Sequence, residues 1–358
     1  MPGPPLSTDD ALAELTGFGD GPPLPASTRF AERLRSLTDR IAEASATLGR
    51  TVAVDGVATL TERAAAMGLA RRGQVSCGGS THLVRAADGW FAATLSRPDD
   101  VDLLPAWIGA PVAEDPWPEV HRRCRDRPVR EVLDRGILLG LPIAGLGSAE
   151  TRTPPSSTGS LRPWDGSGAV NVVDISSMWA GPLCGALLAE AGAHVIKVEL
   201  AGRPDGARLG PASFYERLNG AKAELVVDMA RSDGPRRLAE VVASADVVIE
   251  SSRPRALAHL GIDAEAMLAD SSGPQVWVSI TGHGRYGEGA NRVAFGDDAA
   301  VAGGLVAWAG PDQPCFFADA VADPLTGLTA AAEALEALTT GRTVLLDIAM
   351  AGVAAAFR

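Results

Sequence analysis

Two kinds of hydrophobic run alternate along the second half of the chain. Short apolar runs rich in valine and isoleucine ("AVNVVDIS", "HVIKVEL", "ELVVDM", "DVVIES", "QVWVSIT" and "TVLLDIAM") predict strands. Between them lie stretches of helical period, among them "GPLCGALLAEAG", "GPRRLAEVVASA" and a segment over about residues 254–269. Pro182 stands early in the first of these, and Gly192 stands where a glycine closes a helix. Strands alternating with helices predict a largely parallel sheet covered by helices on both faces. Ligands of such sheets sit beyond the carboxyl ends of the strands. The loops to watch are therefore "SSMWAGP", "LAGRPDG", "SSRPR" and "TGHGRYGEG".

The first half is less regular. "TRFAERLRSLTDRIAEASATLG", "TLTERAAAMGLA" and "RPVREVLDRGILLGLP" have helical period, and "STHLVRAADGWFAATLS" predicts a hairpin turning near Asp88-Gly89. These elements would make a small α+β domain over residues 1–146, with no cluster of catalytic residue types. Residues 147–168, "GSAETRTPPSSTGSLRPWDGSG", are rich in Pro, Ser, Gly and Thr and predict a linker. The α/β region follows over 169–358.

One helix start carries chemistry of its own. In "ADAVADPLTGLTAAAEALEAL", Asp323 and Pro324 open an alanine- and leucine-rich run. Asp323 reads as a cap for free N–H groups and Pro324 as the first helical residue. A catalytic carboxylate is the alternative reading.

Composition narrows the field. The 358 residues are 46% hydrophobic, enough for a substantial core in two domains. A net charge of −12 argues against a nucleic-acid or anionic-membrane partner. The N-terminus shows no signal peptide and no run predicts a bilayer span. Four scattered cysteines and five dispersed histidines predict a reduced, cytoplasmic protein without a metal site. "GHGRYG" fits a dinucleotide-binding glycine pattern, but "EGANRVAFG" follows it without helical period, so no helix N-terminus would face a pyrophosphate. A glycine loop lining another kind of site is the better reading.

Five segments, in order, resemble the family III CoA-transferases, a group that includes formyl-CoA transferase and α-methylacyl-CoA racemase. They are "VVDISSMWAGPLCGALLAEAGAHVIKVE", "LNGAKAELVVDM", "ADVVIESSRPRALAHLGID", "VWVSITGHGRYG" and "VADPLTGLTAAAEAL". They cover about residues 170–350. The N-terminal "RRGQVSCGGSTHLVRAADGWFAATLSRPDDVDLLPAWIG" and "VREVLDRGILLGLPIAGLGS" more loosely resemble the family's small domain, here placed first, as in a circular permutation.

The resemblance implies a Rossmann-like, mostly parallel sheet plus a smaller α+β domain. It implies exchange of coenzyme A between an acyl-CoA and a carboxylate acceptor, with no permanently bound cofactor, in a homodimer. Asp323 matches the family's catalytic aspartate, which passes through an anhydride and an aspartyl-CoA thioester. An aspartate near a helix N-terminus favours its ionised form, so capping and catalysis are compatible. The implied CoA-contacting residues are Ser177, Met178, Trp179 and Ala180 in the first turn, Lys222 near the phosphates, and Ser251, Ser252 and Arg253 by the nucleotide. Thr281, Gly282, His283 and Gly284 form the glycine loop, whose N–H groups would stabilise oxyanions. Asp319, shortly before Asp323, would share its role or perturb its pKa.

Plainer readings stay open. Lys222 also reads as a solvated strand-end charge, Arg253 as a surface residue at a helix start, and Trp179 as core. Trp179 stands where such transferases carry glutamine, Ser251-Ser252 replaces Asn-Phe, and "LNGAK" lacks one charge of the usual N-R-G-K. "AFGDDAAVAGG" offers Asp297 and Asp298 where racemases carry a His-Asp pair. A CoA-ester isomerase or lyase, with His283 or Asp297 as the second group, is one alternative. A CoA-ester-binding protein without catalysis is another.

Overall fold

The computed structural model describes residues 8–150, 169–270 and 272–358. Most of the expected linker, residues 151–168, lies outside the described residues. The hairpin expected around Asp88-Gly89 is formed by β1 (Thr81–Arg85) and β2 (Trp90–Thr94), and β3 (Ile143–Gly145) pairs with β2 to complete a small antiparallel sheet. The α/β region contains β4 (Asn171–Asp174), β5 (His194–Leu200), β6 (Ala223–Val227), β7 (Val247–Glu250) and β8 (Val276–Thr281). A separate hairpin, β9 (Val306–Gly310) and β10 (Gln313–Phe316), precedes the last strand, β11 (Val344–Ala349).

Six of these strands form one sheet in the order β11-β8-β7-β4-β5-β6, with every neighbouring pair parallel. The chain winds outward from β4 in both directions. This doubly wound topology leaves a crevice at the carboxyl ends of β4 and β7. β7 and β8 are buried along their whole length, as continuous valine- and isoleucine-rich runs require in a sheet covered on both faces.

The Ala322–Thr339 helix lies under the sheet, with Leu325, Leu328, Leu335 and Leu338 at most 1% exposed. Each such leucine contributes about 1.5–3 kcal/mol. Gly327 allows this helix to cross the Ala180–Glu190 helix closely; a Cβ there would stand 2.7 Å from the Ala180 carbonyl oxygen.

The main hydrophobic cluster does not respect the linker. Phe30, Leu34 and Ile41 of the Thr28–Thr47 helix and Leu60 of the Gly56–Met67 helix share it with Leu325, Leu335 and Phe357. Arg40 reinforces the junction, bonding Glu333 and Glu336 at 2.7 Å each. The segment around the small sheet has a cluster of its own, centred on Phe91, Trp107 and Ile143, and the other face of the parallel sheet has another, with Val173, Val248 and Trp277. Linker residues next to that sheet are docked: Gly147 and Ala149 donate to the carbonyls of Val301 and Ala302.

Candidate active site

The turn after β4 lies in the crevice. The Ser177 N–H donates to Ser251 Oγ at 3.1 Å, joining the loop after β4 to the loop after β7. Met178 has φ +71°, and its N–H donates to Asp205 Oδ1 at 2.9 Å. Gly206 leaves room for the Met178 sulfur, which a Cβ would approach to 2.8 Å. Trp179 is core, 3% exposed and edge-on to Phe214. Ala180 opens the next helix. Ser252 is half-buried, and Arg253 is exposed just before a short helix.

Behind this turn stand two buried ion pairs. Lys197 Nζ donates to the Ser176 carbonyl and, at 2.8 Å, to Asp205 Oδ2. Lys222 Nζ donates to Asp174 Oδ2 and the Pro182 carbonyl at 2.8 Å each and to Asn219 Oδ1 at 3.0 Å. All three Lys222 ammonium hydrogens are thus engaged inside the protein. Lys222 is neither a solvated strand-end charge nor, in this conformation, an open phosphate ligand. Burial would raise Asp174, but Lys222 and Lys197 hold it below the usual carboxylate range.

The glycine loop follows β8. Gly282 passes so close to the next segment that a Cβ would meet Ala294 Cβ at 2.6 Å. The Gly284 N–H, expected to face an oxyanion, donates instead to Thr281 Oγ1 at 2.9 Å. Burial, with Arg292 adding, pushes His283 down to about 3, so its imidazole is neutral. Its buried Nε2 has no hydrogen-bond partner among the described residues.

Asp323 sits where the Gly296–Gly303 helix, the Ala322–Thr339 helix and Arg63 of the N-terminal region converge. The helix begins at Ala322 with Val321 as its N-cap, so Asp323 lies inside the first turn and does not cap it. Its carboxylate lies against Gly296 at the start of the Gly296–Gly303 helix, and the Gly296 N–H favours the ionised form. Gly296 is required there: a Cβ would stand 2.3 Å from the Ala320 carbonyl oxygen and 2.4 Å from Asp323 Oδ2.

Asp297 and Asp319 flank Asp323. Asp297 accepts from the Ala320 N–H at 3.0 Å and from Thr81 Oγ1 at 3.3 Å. Asp298 accepts from Thr94 Oγ1 at 3.0 Å, while its buried Oδ2 has no hydrogen-bond partner among the described residues. Asp319 is gripped by Arg63 in a fork, Nε to Oδ2 at 2.9 Å and Nη2 to Oδ1 at 2.6 Å. The backbone at Ala318 (φ +54°) and Ala320 (φ +44°), on either side of Asp319, is left-handed, a strain of about 1–3 kcal/mol per residue.

Three of these buried acids titrate above the usual carboxylate range. Burial lifts Asp323 to about 7; Asp297 and Asp319 add to the rise, while Arg63 and the Gly296 N–H oppose it. Burial and then Asp319 lift Asp297 to about 6, and burial lifts Asp298 to about 7. The Asp323 side chain nevertheless keeps some contact with solvent.

The N-terminal region carries no catalytic cluster of its own, yet Arg63, Thr81 and Thr94 all reach this one. The sequence signals none of them, because their partners lie more than 200 positions away. Arg63 also connects the cluster to the crevice, its guanidinium standing 5.6 Å from the centre of the Trp179 ring. A cleft of about 350 Å³ lies apart from the expected CoA residues, between Leu37 and Arg40 on one side and Val353 and Phe357 on the other.

The sequence profile of the family described as CoA-transferase family III matches residues 168–358, just over half of the chain. The chain belongs to this family. It is similar to the succinyl-CoA:glutarate CoA-transferase of Mus musculus, 30% identical over 233 residues that cover 60% of this chain and 52% of that protein. It is also similar to the succinyl-CoA–D-citramalate CoA-transferase of Chloroflexus aurantiacus, 32% identical over 178 residues, 47% of this chain and 44% of that protein. The chain spans about half the length of these curated relatives. Among solved structures, a CaiB/BaiF family protein from Brucella suis superposes with a TM-score of 0.48 at 30% identity, over 55% of each chain. Every expected CoA-contacting residue and Asp323 lie within the family III segment, whereas Arg63, Thr81 and Thr94 lie before it.

Proposed function

We propose that this family III protein is an acyl-CoA:carboxylate CoA-transferase with Asp323 as its nucleophile. The observation that carries the reading is the Asp323 carboxylate, in the first turn of a buried helix beside Gly296 and titrating near 7. A group that titrates near the working pH supplies the ionised nucleophile without being inert.

In this scheme an Asp323 oxygen attacks the donor thioester carbonyl and expels coenzyme A thiolate, leaving a mixed anhydride. The thiolate attacks the Asp323 carbonyl, releasing the donor carboxylate and forming an aspartyl-CoA thioester. The acceptor carboxylate attacks that thioester and again expels the thiolate. Attack of the thiolate on the acceptor acyl carbon yields the new acyl-CoA and frees Asp323. No redox partner is needed.

CoA would lie along Ser177, Met178, Trp179 and Ala180, with Ser251, Ser252 and Arg253 toward the nucleotide and Thr281, Gly282, His283 and Gly284 beside the thioester. For Gly284 to serve an oxyanion, its N–H must first leave Thr281. Lys222 enters this reading as the residue that braces the turn. A cytoplasmic homodimer, with coenzyme A as substrate rather than resident cofactor, belongs to the same proposal. So does a division into residues 1–146, a linker over 147–168 and a CoA-binding unit over 169–358.

The test is intact-protein mass spectrometry after mixing with a panel of acyl-CoAs and quenching with hydroxylamine or borohydride. The expected result is an adduct or reduced residue at Asp323, absent in Asp323→Ala, whose transfer rate falls by at least about 10³-fold. Measurable CoA-ester binding with no adduct from any thioester would sink the reading. Asp297, titrating near 6 beside Asp323, favours proton exchange at the α-carbon as the second reading. Deuterium wash-in without transfer to a labelled acceptor would select it.

A further inference from the structure

The turn that presents Asp323 is held from outside the family III segment. Three N-terminal residues grip it: Thr16 Oγ1 accepts the Ala318 N–H at 3.0 Å, Cys77 Sγ lies 3.5 Å from the Ala318 carbonyl, and Arg63 forks onto Asp319. Asp319 is fully buried, and both residues beside it have left-handed backbone that other interactions must maintain. The groups facing the Asp323 carboxylate are few: Asp297 from the Gly296–Gly303 helix, Asp319 from its own turn, and Arg63 from the Gly56–Met67 helix. The Cys77 thiol beside them is pushed up to about 12 by burial and the two aspartates, so it is neutral. Among the described residues Arg63 is therefore the one positive charge set against these three carboxylates.

We propose that Arg63 is a positioning residue for Asp323: its fork on Asp319 fixes the turn that aims the nucleophile, and its charge favours the ionised carboxylate. This rests on the reading of Asp323 as nucleophile. The fork and the charge are separable. Lysine keeps the charge and loses the planar two-point grip, and methionine loses both.

The experiment measures the pH profile of kcat, with KM alongside, in the full-length protein and its Arg63→Lys and Arg63→Met variants. Thermal unfolding checks the fold, and adduct trapping at Asp323 runs in parallel. In Arg63→Met the acidic limb of the profile moves up by about one pH unit or more, lowering kcat near neutrality about tenfold or more. Arg63→Lys returns the limb toward its wild-type position while kcat stays reduced, and KM for acyl-CoA changes little in either variant. Should Arg63→Met fail to fold, Arg63→Lys decides alone: a reduced kcat on an unmoved limb supports the proposal, and a wild-type kcat overturns it. A folded Arg63→Met with an unmoved limb also overturns it, because a purely structural role would lower stability without moving the titration. With an Asp323 adduct still trapped in the wild type, that outcome defeats this inference and leaves the transferase reading intact. Absence of the adduct in the wild type defeats both.

Discussion

Behind the crevice, Asp174 and Asp205 face Lys222 and Lys197, two acids for two bases; at the head of the Ala322–Thr339 helix, Asp297, Asp319 and Asp323 share the one guanidinium of Arg63. Both clusters are buried, so the dielectric environment does not separate them. Charge balance does. With a lysine for each acid, Asp174 stays ionised despite full burial, and the cluster braces the turn that carries Ser177 and Met178. With three acids for one base, Asp297 and Asp323 rise to about 6 and 7. The matched cluster is scaffold. The mismatched one is where protonation changes near neutrality, as a reactive site requires.

Breaking the matched cluster should have the largest effect on the fold. Lys222→Met strands the Asp174 charge in the interior and should destabilise the protein by about 3–5 kcal/mol in urea unfolding. The double variant Asp174→Leu/Lys222→Met should recover most of that loss, because no uncompensated charge remains. A double variant as unstable as the single would refute the charge-balance account.

A smaller effect is expected from Asp298→Asn, and its sign depends on pH. The folded-state value of about 7 lies above the ordinary value of about 3.9, so the folded state holds this proton more tightly. The group therefore favours the folded state below pH 4 and loses that contribution as the pH rises through 7. His82 and His283, pushed down to about 4 and about 3 by burial, act in the opposite sense, so the informative quantity is the difference between variant and wild type. Asp298→Asn should gain stability relative to wild type between pH 4 and 7, by on the order of 2 kcal/mol. Thermal melts across that range check it, and a pH-independent difference would contradict the assignment.

The smallest expected effect lies at the edge of the matched cluster. Ser251→Ala removes one hydrogen bond to the Ser177 N–H in a partly exposed setting. Steady-state kinetics should show KM for acyl-CoA rising about two- to tenfold with kcat nearly unchanged. A fall in kcat instead would mean that the turn orients the reacting carbon rather than the CoA tail.

All six strands of the parallel sheet are legible in the sequence: the inner ones because a buried parallel strand must be a nearly unbroken apolar run, and the mostly exposed edge strand β6 from its Leu225-Val226-Val227 run. The β1–β2 hairpin is equally plain from its alternation and its Asp88-Gly89 turn. The Gly296–Gly303 helix is invisible, since all eight of its residues are buried, and a Cβ on Gly303 would stand 2.5 Å from the Ala355 nitrogen. With no polar face, it has no amphipathic period to read. The β9–β10 hairpin also goes unread. Asp323 is singled out by resemblance, but its local reading as a cap fails, because the helix starts two residues earlier than Pro324, at Ala322 with Val321 as its N-cap. Arg63, Thr81 and Thr94 leave no local signature, since hydrogen bonds across the fold impose no spacing on the sequence.

The fork between Arg63 and Asp319 spans 256 positions, and this sets an order of events as the protein is made. Arg63 and the helices around it emerge long before the aspartates they will meet. Until then Phe30, Leu34 and Ile41 of the Thr28–Thr47 helix wait without partners that belong to the Ala322–Thr339 and Met350–Phe357 helices. Contacts of such long range form slowly, because the loop must close before any of them contributes. The pairing of Arg63 with Asp319 therefore belongs among the late contacts, formed once the Ala322–Thr339 helix docks on the Thr28–Thr47 helix.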